Sequence, residues 1–231
     1  MALMVCAVYS TVPWMIAFQE KLFMLLNIIM LVIAYLLGSV CCAILVCKLA
    51  GLPDPRTQGS GNPGASNVLR VSGKSYAALT LLGDGLKGFL PVFIAKVLGV
   101  HGFTLAMIGL LAVIGHMYPV FFKFKGGKGV ATAIGVYFGL SLTLGAITAL
   151  IWVGLAIILR YASIASLAAC CAAVVITLFI QPTYFLGVLL IALLIVYRHQ
   201  GNIKKLRAGT ENKLVIKKPG EKPMENKIDV K

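Results

Sequence analysis

The chain has 231 residues, 60% hydrophobic and only 12% charged, with 21 lysines and arginines against 7 aspartates and glutamates and a formal net charge of +14. A mean hydropathy of +0.96 with so few charges excludes an ordinary soluble domain and points to an all-α, polytopic integral membrane protein. The positive charge lies between apolar runs and in the tail, as cytoplasmic loops require, so it does not indicate nucleic acid.

Residues 1–23 hold an apolar run but neither a basic start nor a small-residue cleavage site, which is a poor signal peptide. A better-formed span begins at Met24, so 1–23 read as an N-terminal extension, either preceding a true start at Met24 or lying at the outer interface. The run from Leu25 to Leu49 is long enough to cross the roughly 30 Å hydrocarbon core as one helix, with Lys48 snorkelling at its end. From Gly51 to Lys74 the chain turns polar and rich in proline and glycine, a structured loop with Val68 to Val71 as a short apolar turn.

Tyr76 to Leu98 reads as the second span and Phe103 to Phe122 as the third. A basic loop, Lys123 to Lys128, follows. Residues 131–159 then supply either one crossing or two short ones. If every basic loop faces the cytoplasm, this stretch must leave and return, bending near Ser141 to Gly145 as two crossings of roughly fourteen residues. Ala162 to Ile180 and Phe185 to Tyr197 complete about seven helices, with the N-terminus outside and the C-terminus cytoplasmic. The membrane domain spans 24–213, and the basic tail 214–231 reads as disordered.

Chemistry-bearing residues gather at the cytoplasmic junctions. Gly126, Gly127 and Gly129 surround Lys128 in a loop that opens a helix, suited to cradling a phosphate with backbone N–H groups, although a plain basic loop has the same composition. Ser60, Gly61, Asn62, Asn67 and Arg70 combine short hydrogen-bonding side chains with a guanidinium, equipment for a phosphate or polyol; a capped turn is the competing reading. Asp84 and Lys87 sit three residues apart inside the second span and form an ion pair, serving either the substrate or helix packing. His116 reads as a structural histidine, and His199, among basic residues at the end of the last span, as the better acid–base candidate. Asn202 and Glu211 follow closely, implying a folded cap over the same surface, with a solvated tail as the alternative. The six cysteines lie in or beside apolar runs with no histidine at metal-ligand spacing, so they read as small core residues and no metal site is expected.

With these motifs assembled, the chain resembles the bacterial membrane acyl-phosphate-dependent glycerol-3-phosphate acyltransferases from Leu25 to Lys213. The resemblance rests on AYLLGS at Ala34 to Ser39, GSGNPGASNVLR at Gly59 to Arg70, Asp84 and Lys87 followed by Gly88, the GH and PVFFKFKGGKGVATA strings through Ala133, and YRHQGNIKKLRAGTEN at Tyr197 to Asn212. Ser66 stands where the family often has threonine and Gly201 where an acidic residue is common, and residues 1–23 have no clear counterpart.

The resemblance implies acyl transfer from acyl phosphate to the 1-hydroxyl of sn-glycerol 3-phosphate, the first acylation of phospholipid synthesis, in the inner membrane and without a metal or organic cofactor. It implies glycerol 3-phosphate at Gly126 to Gly129 and the second phosphate at Ser60, Asn62, Asn67 and Arg70, an assignment that can be exchanged. His199, oriented by Asn202 or Glu211, or else the leaving phosphate, takes the hydroxyl proton. Membrane lipid and the enzyme that makes the acyl phosphate are the implied partners. A secondary transporter of a small organophosphate is the alternative, but no internal repeat is visible. A noncatalytic lipid-binding scaffold would leave the Ser60 to Arg70 constellation without a role.

Overall fold

A computed structural model describes residues 13–214. Among these there is no strand, and ten α-helices follow in order: α1 Pro13–Gly38, α2 Cys42–Leu49, α3 Ala65–Val71, α4 Lys74–Val97, α5 Gly102–Met117, α6 Val130–Leu140, α7 Leu142–Leu159, α8 Ala162–Ile180, α9 Phe185–Arg198 and α10 Gln200–Arg207. Five are long and apolar enough to cross a membrane, namely α1, α4, α5 with its 3-10 extension, α7 and α8; the bent pair α9 and α10 makes up to six. Helix α6, with 11 residues, is shorter. The protein is an all-α, multi-pass membrane protein.

The first apolar run departs from the expected single span. Helix α1 begins at Pro13, so residues 13–23 are continuous with it, and it ends at Gly38; residues 1–12 lie outside the described part. The chain breaks at Ser39–Cys41 because tertiary contacts satisfy what the helix gives up. Lys87 Nζ donates to the free Val40 carbonyl at 2.6 Å, and the Ser39 hydroxyl donates back to Tyr35 O at 2.8 Å. Helix α2 then packs beside α3 and the start of α4, where Cys41, Ala43, Ile44, Cys47, Val68 and Ala77 form a small separate core.

The bend in 131–159 falls at Ser141, whose hydroxyl accepts from Leu144 N at 3.4 Å and caps α7. The two arms are unequal, 11 and 18 residues, rather than about fourteen each. Helix α6 lies against the middle of α4. Gly88 and Gly135 permit this: a Cβ on either would strike backbone of the other helix, at Thr132 and Gly85 respectively. At its far end Lys96 Nζ donates to Leu140 O at 2.9 Å and satisfies a terminal carbonyl of α6. The main core runs through all the long helices and α6, with Leu105, Ile108, Met117, Tyr137, Ile191 and Ile195 fully buried. Because α6 begins beside mid-α4, the first third of α4 stands clear of it and walls a cleft. Residues 215–231, assigned from sequence to the tail, lie outside the described part.

Candidate active site

The cleft has a volume of about 1060 Å³ and is polar at one end and apolar at the other. Three chain segments build the polar end. The first is the loop before α3, where a buried amide fixes the backbone. Asn67 Oδ1 accepts from Ser60 N at 2.8 Å, while its Nδ2 donates to Pro55 O at 2.8 Å and Gln58 O at 3.0 Å. Asn67, 1% exposed, borders the cleft, but its amide makes these three hydrogen bonds to the loop. That lock places Ser60, Asn62 and, one helical turn later, Arg70 on the cleft wall. Gly61 shapes the turn with φ +70° and does not line the cleft.

The second segment is the glycine-rich loop. Gly126 and Gly127 face the protein: a Cβ on Gly126 would meet His116 O and one on Gly127 would meet the His116 ring. The cleft wall is made by Lys128, Gly129, Val130 and Ala131. Gly129 has φ +83°, a conformation that glycine adopts without strain, and it starts α6 with no side-chain cap. The first helical bond is Ala133 N to Gly129 O, so the N–H groups of the preceding turn are left for a ligand at the positive end of the helix dipole.

The third segment is the chain after α9. Helix α10 ends at Arg207, Gly209 turns the chain with φ +69°, and the following strap returns across the cleft, its Leu214 N donating to Arg160 O at 2.6 Å. Glu211 on this strap accepts from Ser163 Oγ at 2.9 Å and from Asn202 Nδ2 at 2.7 Å. Asn202 Oδ1 in turn accepts from Lys128 Nζ. One chain of hydrogen bonds therefore joins the glycine loop, α10, the strap and α8. Burial pushes the Lys128 ammonium down to about 8, with Glu211 opposing that fall.

His199 follows the end of α9 and is 2% exposed, yet it borders the cleft. Its Nδ1 lies 2.8 Å from Ile195 O, and a carbonyl only accepts, so Nδ1 carries the proton and Nε2 is left as a base. Burial, reinforced by the charge on Lys128, pushes the imidazole down to about 4, so it is neutral near pH 7.

A buried ionic knot underlies the cleft, and two of its members, Asp84 and His116, line it. Asp84 Oδ1 pairs with Lys87 Nζ at 2.8 Å and lies 3.5 Å from His116 Nδ1, which is 3.1 Å from Thr132 Oγ1. These contacts tie α4 to α5 and α6, and through Val40 to the end of α1. Among the described residues no group of three His, Cys, Asp or Glu is placed to hold a metal ion.

The apolar end is bounded by Leu81, Leu82 and Phe89 of α4, Ile134 and Phe138 of α6, and Trp152, Val153 and Ile157 of α7. Trp152 Nε1 donates to Ser166 Oγ at 3.0 Å, and that hydroxyl donates to Ala162 O at 2.6 Å, so the indole is held in one orientation. Trp152 had no signal in the sequence beyond an apolar helix. Arg198 was equally hidden, since a cation at the end of an apolar helix reads as snorkelling. Here its guanidinium instead binds the glycine loop, donating to Gly126 O at 2.9 Å and Gly127 O at 3.1 Å.

Known proteins carry the same design. The family model for glycerol-3-phosphate acyltransferase matches residues 28–209. A glycerol-3-phosphate acyltransferase of Coxiella burnetii is 51% identical over 190 residues, covering 82% of this chain and 98% of that protein. One from Colwellia psychrerythraea is 47% identical over 194 residues, covering 84% and 99%. Among solved structures, the glycerol 3-phosphate form of PlsY (YgiH), an integral membrane glycerol 3-phosphate acyltransferase, superposes with a TM-score of 0.78 at 42% identity, covering 82% of this chain and 96% of that one. Its lysophosphatidic acid form gives 0.76 at 41% identity. A match across most of the chain at this identity leaves one conclusion: the protein belongs to the glycerol-3-phosphate acyltransferase family.

Proposed function

We propose that the protein transfers a fatty acyl group from acyl phosphate to the 1-hydroxyl of sn-glycerol 3-phosphate, releasing lysophosphatidate and inorganic phosphate. The observation that carries this reading is the make-up of the cleft. Its polar end holds Arg70, Lys128, Arg160, Lys205 and Lys213; apart from Asp84, which Lys87 neutralises, the opposing carboxylate is Glu211. That surplus of about four positive charges suits two phosphate groups of nearly two negative charges each. The adjoining apolar end suits an acyl chain. The glycerol 3-phosphate and lysophosphatidic acid forms of the related PlsY supply an acceptor and a product of the same chemistry.

In the reaction, the acceptor's phosphate sits on Lys128 and the first N–H groups of α6, and the donor's phosphate on Ser60, Asn62 and Arg70. His199 Nε2 accepts a hydrogen bond from the 1-hydroxyl. Two bound phosphates offset the charge of Lys128 and raise the basicity of His199 when the proton has to move. The hydroxyl oxygen bonds to the acyl carbonyl carbon, the bond from that carbon to the phosphate oxygen breaks, and the proton passes through His199 to the departing phosphate. Arg70 and the α6 N-terminus stabilise the charge developing on oxygen. The donor is already activated, so no acyl-enzyme ester is required.

Helices α1 and α4 through α9 make seven crossings, with the N-terminus outside and the C-terminus cytoplasmic, in a bacterial inner membrane. This arrangement keeps the basic junctions on the side where both phosphorylated substrates are made. The donor-making enzyme is a natural partner at that face. The test is product analysis with purified protein and three donors: acyl phosphate, acyl-CoA and acyl carrier protein thioester. Lysophosphatidate formed from acyl phosphate and glycerol 3-phosphate supports the reading; formation only from a thioester overturns the donor. Uptake of glycerol 3-phosphate into sealed liposomes without acylation would make the protein a transporter.

A further inference from the structure

Arg198 makes more polar contacts with the glycine loop than any cleft-lining side chain does, yet it does not itself line the cleft. Its Nη2 donates to Gly126 O at 2.9 Å and Gly127 O at 3.1 Å, and its Nε donates to Gly127 O at 3.2 Å. The same guanidinium lies 5.3 Å from the centroid of the Tyr118 ring, so its other side is occupied as well. The loop is therefore gripped from behind by a cation fixed at the end of α9.

The consequence follows from peptide geometry. Among the described residues there is no cis peptide bond, and in a planar trans peptide the C=O of one residue and the N–H of the next point in opposite directions. In the Gly126–Gly127 peptide the carbonyl faces Arg198 and the N–H donates to His116 O at 3.2 Å. In the Gly127–Lys128 peptide the carbonyl also faces Arg198, so the N–H of Lys128 points away from it. Gly126 and Gly127 are behind the wall, whereas Lys128 and Gly129 form it. The N–H of Lys128 is thus turned toward the cleft, in line with the unpaired N–H groups that begin α6. Left free, the Gly127 peptide would be able to flip and present an oxygen to the anion instead.

We propose that Arg198 is a positioning residue for the acceptor: by holding both carbonyls from behind, it orients the Lys128 N–H and the α6 N-terminus as one row of donors for the phosphate of glycerol 3-phosphate. The inference rests on the acyltransferase reading above. That reading places the acceptor's phosphate on this loop, and the inference gives a charged side chain behind it a task that involves no contact with substrate. Its second effect is electrostatic, since the guanidinium masks the two carbonyl dipoles that an incoming phosphate would otherwise meet.

The experiment is steady-state kinetics of Arg198→Gln and Arg198→Lys, varying each substrate while the other is saturating, with thermal unfolding in detergent as the check on folding. Losing charge-assisted hydrogen bonds predicts a KM for glycerol 3-phosphate raised about tenfold or more in Arg198→Gln. The kcat and the KM for acyl phosphate stay within about twofold, as expected when uniform binding of one substrate is lost. Arg198→Lys, which keeps the charge and one donor, falls between. If Arg198→Gln does not fold, Tyr118→Leu removes the ring that backs the guanidinium and should raise the same KM by a smaller factor. Equal rises in both KM values, a fall in kcat alone, or unchanged kinetics overturns the proposal. A rise confined to the KM for acyl phosphate overturns the assignment of the loop to the acceptor. Wild-type protein with no acylation of glycerol 3-phosphate would instead sink the underlying reading, a result separable from all of these.

Discussion

Gly127 lies directly on the imidazole of His116: a methyl group at its Cα would collide with Nε2 of that ring. The glycine is therefore required by the protein behind the loop, while the neighbouring Gly129 is required by its positive φ. Gly127→Ala should destabilise the protein by about 1–3 kcal/mol through overpacking and displace Lys128 from the cleft. Thermal unfolding in detergent together with the KM for glycerol 3-phosphate measures both effects. A variant with wild-type stability and kinetics would show that the loop yields freely.

The Lys128 and His199 titrations set a pH window. Lys128 is charged below about 8 and loses its proton above, while His199 accepts a proton only near 4 in the empty site. The phosphate becomes dianionic above about pH 6. Consequently kcat/KM for glycerol 3-phosphate should rise up to about pH 6, hold, and fall above about pH 8. The residual activity of Lys128→Arg should lack the alkaline fall, because a guanidinium stays charged there. An alkaline limb that persists in that variant would belong to another group.

His199→Ala should lower kcat by about 10²–10⁴-fold with little effect on either KM, the range for loss of a general base. His199→Gln keeps a polar group but no base and should fare no better than about tenfold above alanine. Near-normal turnover by folded His199→Ala would transfer the proton-accepting role to the leaving phosphate.

The buried pair of Asp84 and Lys87 makes a stability prediction. Lys87→Met leaves Asp84 without its ammonium and Val40 O without its donor, and should cost about 3–5 kcal/mol. Asp84→Asn with Lys87→Met removes both charges and should cost less than Lys87→Met alone. Unfolding midpoints of the two proteins in the same detergent decide the order. A double variant less stable than the single one would mean that the carboxylate has a purpose besides pairing.

Much of this architecture is visible in the sequence because the bilayer constrains it. Length and apolar content mark α4 and α8 to within two residues and the start of α5 to within one, and lysines and arginines mark where the polar end of the cleft lies. What is hidden depends on contacts distant in sequence. The run from Leu25 to Leu49 contains no proline and reads as one helix; at its break the Val40 carbonyl accepts from Lys87, 47 residues away, a partner that the run itself does not reveal. Asn67 has the side chain of a ligand, and only the folded loop shows its amide bonded to Ser60, Pro55 and Gln58. Trp152 belongs to the cleft because Ser166 on the next helix fixes its indole, a relation that periodicity along α7 cannot reveal.

The hydrogen-bonded chain from Lys128 through Asn202 to Glu211 and Ser163 predicts that the strap matters to the site it closes. Glu211→Ala leaves Asn202 and Ser163 with unpaired donors and should reduce kcat/KM for glycerol 3-phosphate by about tenfold to a hundredfold. Ser163→Ala, which removes one of the two donors, should do less. Equal kinetics for wild type and Glu211→Ala would detach the strap from catalysis.

The most direct test of the whole account is release of inorganic phosphate by purified protein given acyl phosphate, with and without glycerol 3-phosphate, beside Lys128→Ala. Release should require both substrates, match lysophosphatidate mole for mole, and collapse in the variant. Release that proceeds without glycerol 3-phosphate, or that survives unchanged in folded Lys128→Ala, would contradict it.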